Sequence, residues 1–209
     1  MKNASCRTYL PPEWAPQSAV QLTWPHAHSD WAPILDEVEP VFTVIAAAIA
    51  RFEIVLVACY DAAHRARVRA RLDAAGVPAT RSRRWAGRSS RSASPRPANS
   101  AGLYFAAAID STRIVLLLAS NVPATRTRLY VAPSNDTWAR DHGPITVLCQ
   151  SEATLLDYGF NGWGGKYPHD LDDRITRALH AQGAFGDTPI EHQDLILEGG
   201  SIEVDGSGT

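Results

Sequence analysis

The feature that most constrains the fold is a short apolar run at 54–58, rich in β-branched residues, with a helical pattern on each side of it. An apolar run of this length is typical of a strand that is buried on both faces of a sheet. Before it, apolar residues recur at helical spacing across 31–52, where Pro40 predicts a kink or a late helix start. After it, 61–75 begins with a capping Asp and ends at Gly76. This alternation predicts an α/β protein.

A second group of elements is predicted from apolar runs and helix signals elsewhere in the chain. It consists of strands at 20–24, 145–148, 154–158, 195–197 and 202–204, and a helix at 170–182. Asp205-Gly206 then gives a hairpin-turn signal shortly before the sequence ends at Thr209. Since a turn without a returning strand leaves an unpaired edge, we expect the sequence to be part of a longer chain.

Residues 82–126 break the α/β pattern. The first part, 82–100, has Arg interleaved with Ser, Pro and Gly and contains no acidic residue, which predicts a low-complexity, disordered basic loop. An RNA- or phosphate-binding arm is the less favoured interpretation, since such a tract needs no partner to exist. Two short motifs from 46–49 and 77–81 also recur within this region. We therefore interpret 82–126 as a partly duplicated insertion in one partial domain that spans 1–209.

Composition argues against several classes of protein. The 209 residues include 20 basic and 22 acidic side chains, a net charge of −2, so bulk charge indicates neither a nucleic-acid nor a membrane partner. No apolar stretch is long enough to cross a bilayer, and the N-terminus lacks the apolar region of a signal peptide. Only three cysteines occur, which argues against a disulfide framework and predicts a cytoplasmic protein. Cys59 and Cys149 end apolar runs and are expected to be buried thiols.

The densest group of chemically useful side chains lies at 135–144 (NDTWARDHGP). It contains two Asp and one each of Asn, Trp, Arg and His directly before a predicted strand, which indicates a site built on a loop. An Asx-rich turn held by an ion pair between Arg140 and Asp136 is weighed equally.

Two later motifs are weaker by themselves. Residues 160–167 (FNGWGGKY) place three glycines around Trp163, which permits close backbone approach, although the spacing is not that of a phosphate-binding loop. Residues 197–201 (LEGGS) place Glu198 at a strand end before two glycines, where the acid would face a cavity. A plain β-bulge is the alternative for this last motif.

Together and in this order, the three motifs resemble those of the agmatine deiminase family. The opening 12–16 (PEWAP) with Trp24-Pro25 is also similar, and the resemblance covers about 9–81 and 127–209. It implies an α/β pentein fold, a propeller of ββαβ-type units around a central pocket, here incomplete. It also implies hydrolysis of agmatine to N-carbamoylputrescine and ammonia, a step toward putrescine, without a metal or an organic cofactor. A small-molecule guanidine would be the partner, and a homodimer is the assembly that the resemblance suggests.

The resemblance also assigns site residues. Asp141 and Glu198 match the family's substrate-binding carboxylates, and carboxylates bind a planar guanidinium through paired hydrogen bonds. Trp138 and Trp163 would form walls that pack on the methylene chain or face the cation. Arg140 is expected to form an internal ion pair, since like charge would repel the substrate. Supporting roles fall to the remaining polar residues of the first two motifs: Asn135, Asp136, Arg140, His142 and Asn161. Within this group, structural packing is the expected role of His142.

In this family a Cys thiolate in a glycine-rich segment attacks the guanidinium carbon, and a His followed closely by an Asp serves as general acid/base. Both elements are expected beyond Thr209, and none of Cys6, Cys59 and Cys149 matches the nucleophile. We therefore expect no activity from the 209-residue chain alone.

Three alternatives stay open. The chain could be a truncated, non-catalytic remnant, at best a guanidine-binding shell. It could act on peptidyl-arginine, because the residues that would read the far end of the substrate are partly missing from it. Finally, His26 and His28, with Asp30, are spaced like zinc ligands and would suit a metal hydrolase, although no other histidine has ligand spacing.

Overall fold

The computed structural model describes residues 7–77, 79–81 and 126–206. Within them the strands are β1 Ala19–Thr23, β2 Ile54–Cys59, β3 Ala79–Arg81, β4 Thr127–Val131, β5 Ile145–Cys149, β6 Glu152–Gly159 and β7 Ile190–Ile196. The helices are α1 Leu35–Ala50, α2 Ala62–Ala74, α3 Ala139–His142, α4 Gly162–Gly165 and α5 Ile175–Ala181. Short 3-10 turns lie at Ala32–Ile34, Asp172–Arg174 and Gly199–Ser201. None of these helices is long and apolar enough to cross a membrane.

The first sheet is parallel, with strand order β1-β2-β4-β3. The central strand β2 is covered on both faces. Val55, Val57 and Cys59 pack with α1 and α2 in one apolar cluster, whereas Leu56 and Ala58 belong to a second cluster on the opposite face. Burial on both faces explains why β2 is a continuous apolar run and not an alternating pattern.

The second sheet is built from β5, β6 and β7. β5 and β6 are antiparallel, and β7 returns parallel to β6 after α5, so these elements form a ββαβ unit. The α5 side chains Ile175 and Leu179 are fully buried against Tyr130 of β4 and the neighbouring Ala132. One helix of the second unit therefore shares an apolar core with the first sheet.

Most of the predicted elements are confirmed. The helix predicted across 31–52 begins at Leu35, after a 3-10 turn, and continues through Pro40. Asp61 caps α2 with its side chain, and Gly76 follows that helix with a positive φ of 74°. The strand pair β5–β6 and the helix α5 also lie where the sequence predicts them.

One predicted strand is wrong, since residues 202–204 form no strand. The Ile202 carbonyl accepts a hydrogen bond from the Arg140 guanidinium, 3.0 Å away, and Gly206 lies against Pro12. The hairpin signal at Gly206 corresponds to a bend. Side chains of other segments, and not a partner strand, hold this part of the chain.

The predicted insertion at 82–126 lies outside the described residues, apart from Arg126. β3 and β4, which flank it in the sequence, are parallel neighbours in the first sheet. The insertion, its duplicated motifs and its basic loop stay predictions.

Cys149 differs from its prediction. Cys59 is free and fully buried, as expected, but Cys149 is half-buried and disulfide-bonded. Tyr9 pairs with Leu148 in an antiparallel bridge, so the N-terminal segment runs beside Cys149. The number and spacing of the cysteines gave no sign of this bond.

Candidate functional site

The structure brings the first and third predicted motifs together. Asp141 lies in α3, which packs against the 3-10 turn that follows Glu198. The Gly200 N–H donates to Asp141 Oδ1 over 3.2 Å. A Cβ atom at Gly199 would collide with the α3 backbone, and one at Gly200 would collide with the Asp141 carboxylate. The two glycines are therefore required for this close approach.

Glu198 is fixed by the same turn. Its carbonyl accepts the Ser201 N–H over 2.9 Å and the Ser201 hydroxyl over 2.6 Å. Glu198 and Asp141 are both half-buried, and the Gly200 N–H contact brings the segment that carries Glu198 beside Asp141. Such a pair suits a cation, and a guanidinium in particular, because carboxylates bind its N–H groups in pairs.

The second motif contributes an aromatic cluster. The Trp163 ring stands perpendicular to that of Trp138, with 6.1 Å between centroids. It also contacts Phe160 at 5.1 Å and Tyr167 at 5.7 Å, again edge to face. Trp138 is 49% exposed, so one side of the cluster is accessible to a ligand. Edge-to-face contacts favour a perpendicular arrangement of the rings and leave a π face free for a cation.

An unusual backbone geometry places Trp163. Its φ is +57°, in the left-handed region that is uncommon for residues other than glycine. The Asn161 side chain stabilises the turn, because its Oδ1 accepts the Gly164 N–H over 2.8 Å. Gly162 has a φ of +64°, and a side chain there would collide with the Tyr167 carbonyl. Backbone geometry of this kind is concentrated at functional sites.

Asn135 and Asp136 hold the loop before α3. Asp136 accepts the indole N–H of Trp31 at 2.7 Å and that of Trp138 at 3.0 Å. The Asn135 side-chain oxygen accepts the Leu171 N–H at 2.8 Å. These contacts connect the Trp138 ring to the rest of the fold.

Arg140 does not pair with Asp136. Its guanidinium forms an ion pair with Glu13 at 2.7 Å and donates to the Ile202 carbonyl at 3.0 Å. The alternative of a turn held by an Arg140–Asp136 ion pair is wrong, because the Asp136 carboxylate accepts two indole N–H groups instead. Arg140 ties α3 to the N-terminal segment and to the segment that follows the Gly199–Ser201 turn.

His142 is buried at the end of α3. Its Nε2 lies 3.3 Å from the Thr23 hydroxyl, and its carbonyl accepts the Thr176 hydroxyl at 3.4 Å. Desolvation by burial lowers the pKa of His142 to about 4. A neutral, enclosed imidazole fits a packing role and not an acid/base role.

Neither described cysteine suits a nucleophile. Burial raises the pKa of the Cys59 thiol to about 12, far from the reactive thiolate form. Cys149 is disulfide-bonded, and Cys6 lies outside the described residues. The described part of the chain therefore holds carboxylates and aromatic rings but no reactive thiolate.

His26 has no free lone pair for zinc. Its Nδ1 accepts the His28 backbone N–H at 3.1 Å, which assigns the proton to Nε2, and Nε2 lies 3.1 Å from the Ser134 carbonyl that it donates to. The His28 ring packs beside Tyr60, with 4.7 Å between centroids. Among the described residues, no group of three His, Cys, Asp or Glu side chains could hold a metal ion. The structure therefore gives the zinc hydrolase alternative no support.

Two cavities flank the site. One of about 490 Å³ lies beside Phe160 and Asn161, and one of about 760 Å³ lies behind Arg140 and Gly199. Neither is lined by the four side chains predicted to bind substrate: Asp141, Glu198, Trp138 and Trp163. Cavity volume by itself therefore does not mark the predicted site.

Sequence reasoning missed several residues that contact the first motif, among them Asp172 and Trp31. Asp172 Oδ1 accepts the Asn135 N–H at 2.8 Å, and the Trp31 indole donates to Asp136. An acidic residue in the first turn of a helix is common, so Asp172 gave no signal of its own.

Comparison with known proteins decides the family. The sequence model of the Porphyromonas-type peptidyl-arginine deiminases matches residues 9–209. The chain belongs to this family. An agmatine deiminase from Ectopseudomonas mendocina is 29% identical over 207 residues, an alignment that covers 96% of this chain and 42% of that protein.

Solved structures of related deiminases share the fold. A Porphyromonas gingivalis protein, provisionally named an arginine deiminase, is 35% identical with a TM-score of 0.59, over 96% of this chain and 45% of that one. An agmatine deiminase from C. jejuni, solved with substrate bound, is 22% identical with a TM-score of 0.63, over 97% of this chain and 44% of that one. The chain thus spans less than half the length of these relatives.

Proposed function

We propose that this chain is the front part of an agmatine deiminase, which hydrolyses the guanidinium of agmatine to give N-carbamoylputrescine and ammonia, a step toward putrescine. The observation that carries the proposal is the contact between the Asp141 carboxylate and the turn after Glu198. The ring of Trp138, in the same motif as Asp141, stands perpendicular to that of Trp163 in the glycine-rich motif. Family membership and the agmatine deiminase among its relatives support it.

Binding would rely on charge and on apolar surface. Asp141 and Glu198 would accept hydrogen bonds from the paired N–H groups of the guanidinium. Two carboxylates also keep positive charge on the guanidinium carbon, which makes that carbon a better electrophile. The rings of Trp138 and Trp163 would cover the methylene chain or face the cation. The proposed reaction uses no metal and no organic cofactor.

The covalent steps need a nucleophile that the described residues do not supply. A cysteine thiolate attacks the guanidinium carbon, ammonia leaves with a proton from a His, and water then releases N-carbamoylputrescine and restores the thiol. We place this Cys and His beyond Thr209, where the remaining units of a pentein propeller would close the pocket. The substrate-bound C. jejuni enzyme carries a cysteine-to-serine substitution, which fits a catalytic cysteine in that protein.

The same proposal places the protein in the cytoplasm, as a homodimer without a nucleic-acid or membrane partner. The disulfide at Cys149 stands against this location, because stable disulfides are rare in the cytosol. Alkylation of free thiols at the moment of cell lysis tests the location. Reduced Cys149 would support the cytoplasm, and Cys149 still in a disulfide would contradict it.

Deimination of peptidyl-arginine is the second candidate, and the description of the matched family favours it. The two substrates share the guanidinium and differ at the opposite end, which is an ammonium in agmatine and a carboxylate in a peptide that ends in Arg. A preference for agmatine over the peptide, or the reverse, therefore depends on residues that lie away from Asp141 and Glu198.

Calorimetric titration of the purified chain with agmatine, and with a peptide that ends in Arg, tests both candidates. We expect agmatine to bind more tightly than the peptide, and Asp141→Asn to weaken agmatine binding about tenfold or more, because one charged acceptor is lost. Asp36→Asn is the control, since Asp36 lies in α1, outside the three motifs. Tighter binding of the peptide would favour the second candidate, and equal affinities of Asp141→Asn and the unsubstituted chain would contradict both.

The coding DNA beyond the Thr209 codon tests the catalytic half of the proposal. We expect a His-x-Asp element and a later glycine-flanked Cys in one of the forward reading frames. Unrelated sequence or a stop codon would instead identify the chain as a non-catalytic remnant that holds half of a guanidine site.

A further inference from the structure

A reciprocal pair of side chains clamps the loop that precedes α3. Asp172 Oδ1 accepts the backbone N–H of Asn135 at 2.8 Å and that of Asp136 at 3.2 Å. In return, Asn135 Oδ1 accepts the N–H of Leu171 at 2.8 Å and that of Asp172 at 3.4 Å. Each side chain binds the backbone of the other segment, so the loop is fixed to the helical turn after the glycine-rich motif.

The clamp leads directly to Trp138. The Asp136 backbone is held by Asp172, and the Asp136 carboxylate lies between two indoles. Its Oδ1 accepts the Trp31 N–H at 2.7 Å, and its Oδ2 accepts the Trp138 N–H at 3.0 Å. Because Trp138 is 49% exposed, packing alone does not fix its ring. The orientation of Trp138 therefore depends on Asp136, and that of Asp136 depends on the backbone that Asp172 holds.

We propose that Asp172 is a positioning residue for the guanidine site, which sets the orientation of the Trp138 ring through the backbone of Asn135 and Asp136. The proposal rests on the proposed function for the identity of the ligand. Asp172 itself is 2% exposed, and its Oδ1 is occupied by two backbone N–H groups, so it acts through Trp138 and not by contact with the ligand.

Two substitutions of Asp172 separate its role as a hydrogen-bond acceptor from an effect of its negative charge. The clamp requires an acceptor oxygen, which an amide provides as well as a carboxylate does. The charge itself is unfavourable there, chiefly because burial desolvates it, and in addition because Asp136 and Asp170 are neighbours of like charge. Asp172→Asn should therefore preserve the clamp, whereas Asp172→Ala leaves two backbone N–H groups without their acceptor.

The protein carries its own reporters for the test. Its six Trp give six indole N–H signals in a sample labelled with ¹⁵N. Trp24 is the internal control, because its indole donates to Glu39 of α1 at 3.2 Å, outside the clamp. Asp157→Ala is the matched variant, since Asp157 is also 2% exposed but faces Arg177 and His192.

We expect Asp172→Ala to speed hydrogen exchange of the Trp31 and Trp138 indoles about tenfold and to leave Trp24 unchanged. The dissociation constant for agmatine should rise about tenfold in the same variant. Asp172→Asn should restore both values, and Asp157→Ala should alter neither. The variants Trp31→Phe and Trp138→Phe assign the two signals. If Asp172→Ala does not fold, Asn135→Ala breaks the other half of the clamp and should give the same pattern.

Unchanged Trp138 exchange, an equal change at Trp24, unchanged affinity for agmatine in a chain that binds it, or the same effects in Asp157→Ala would each overturn the proposal. Lack of agmatine binding by the unsubstituted chain would overturn the proposed function alone. The indole signals need no ligand and still decide whether Asp172 positions Trp138.

Discussion

The two sheets differ in how far they bury their strands. In the first sheet, five of the six β2 residues are buried between helices on both faces. In the second sheet, β7 has no buried residue, and its Leu195 and Ile196 are 61% and 54% exposed. The first sheet therefore supplies the main apolar core of the described chain. The candidate site is assembled around the second, less covered sheet, whose outer strand β7 pairs on one side only among the described residues.

The largest expected effect comes from a core deletion beside the first sheet. Leu72 of α2 is fully buried, and Leu72→Ala should lower the free energy of unfolding by about 2–5 kcal/mol, because it removes buried methyl groups and leaves a cavity. Leu195→Ala makes the same chemical change on β7 and should cost less than about 0.5 kcal/mol. Urea unfolding followed by Trp fluorescence measures both. Equal losses of unfolding free energy in the two variants would contradict this difference, since both sheets would then contribute equally to stability.

Acid should weaken both regions through one buried histidine in each. Burial lowers the pKa of His64, in α2, and of His142, in α3, from 6.5 to about 4. Between these pH values the unfolded chain binds protons that the folded chain does not, so the free energy of unfolding falls as the pH falls, by about 2–3 kcal/mol for each histidine.

The variant His64→Asn separates the two contributions. Its side-chain oxygen can still accept the Tyr60 N–H that His64 Nδ1 accepts at 3.0 Å. About half of the acid-induced loss should disappear in this variant, as measured by urea unfolding at a series of pH values. An unchanged pH profile would show that His64 is not neutral in the folded protein.

Asp172 should act in the opposite direction. Burial raises its pKa from 3.8 to about 6. Between these values the folded chain holds a proton that the unfolded chain has lost, so this contribution to stability is present at low pH and is lost as the pH rises to 6. Asp172→Asn should therefore raise the free energy of unfolding above pH 6 by about 1–2 kcal/mol, with little effect near pH 4. A variant that is less stable than the parent at both pH values would contradict this.

A small effect is also expected at the surface of the site. The ion pair between Arg140 and Glu13 is more than half exposed on both sides. Glu13→Gln should therefore change the free energy of unfolding by less than about 1 kcal/mol, and the change should vanish at high salt. Thermal unfolding at low and high salt measures it. A large, salt-independent loss would show that this pair belongs to the core.

Elements with local signals could be predicted from the sequence. The apolar run of β2 and the Asp61 cap of α2 each depend on residues a few positions apart. The strand predicted at 202–204 failed because its neighbours there come from the N-terminal segment and from α3. Propensity alone cannot anticipate such a tertiary contact.

The residues of the candidate site could be predicted from the sequence, but the hydrogen bonds and ion pairs that join them could not. The motif at 135–144 shows which polar groups are present, yet the partner of Asn135 lies 37 residues away, at Asp172. The ion pair of Arg140 forms with Glu13 and not with the nearby Asp136. Hydrogen bonds and ion pairs between distant segments depend on how the sheets pack, and no spacing in the sequence records them.

The packing of α5 on the first sheet bears on what happens when the chain is cut. Ile175 and Leu179 cover the face of β4 that holds Tyr130, so cleavage between β6 and α5 would uncover that face as soon as α5 detached. A fragment that ended before α5 would keep every strand of the first sheet and still expose a broad apolar surface. We expect such a fragment to aggregate. The first sheet and α5 share one apolar core and fold as one cooperative unit, so a cut after the last strand of the first sheet separates parts that are stable only together.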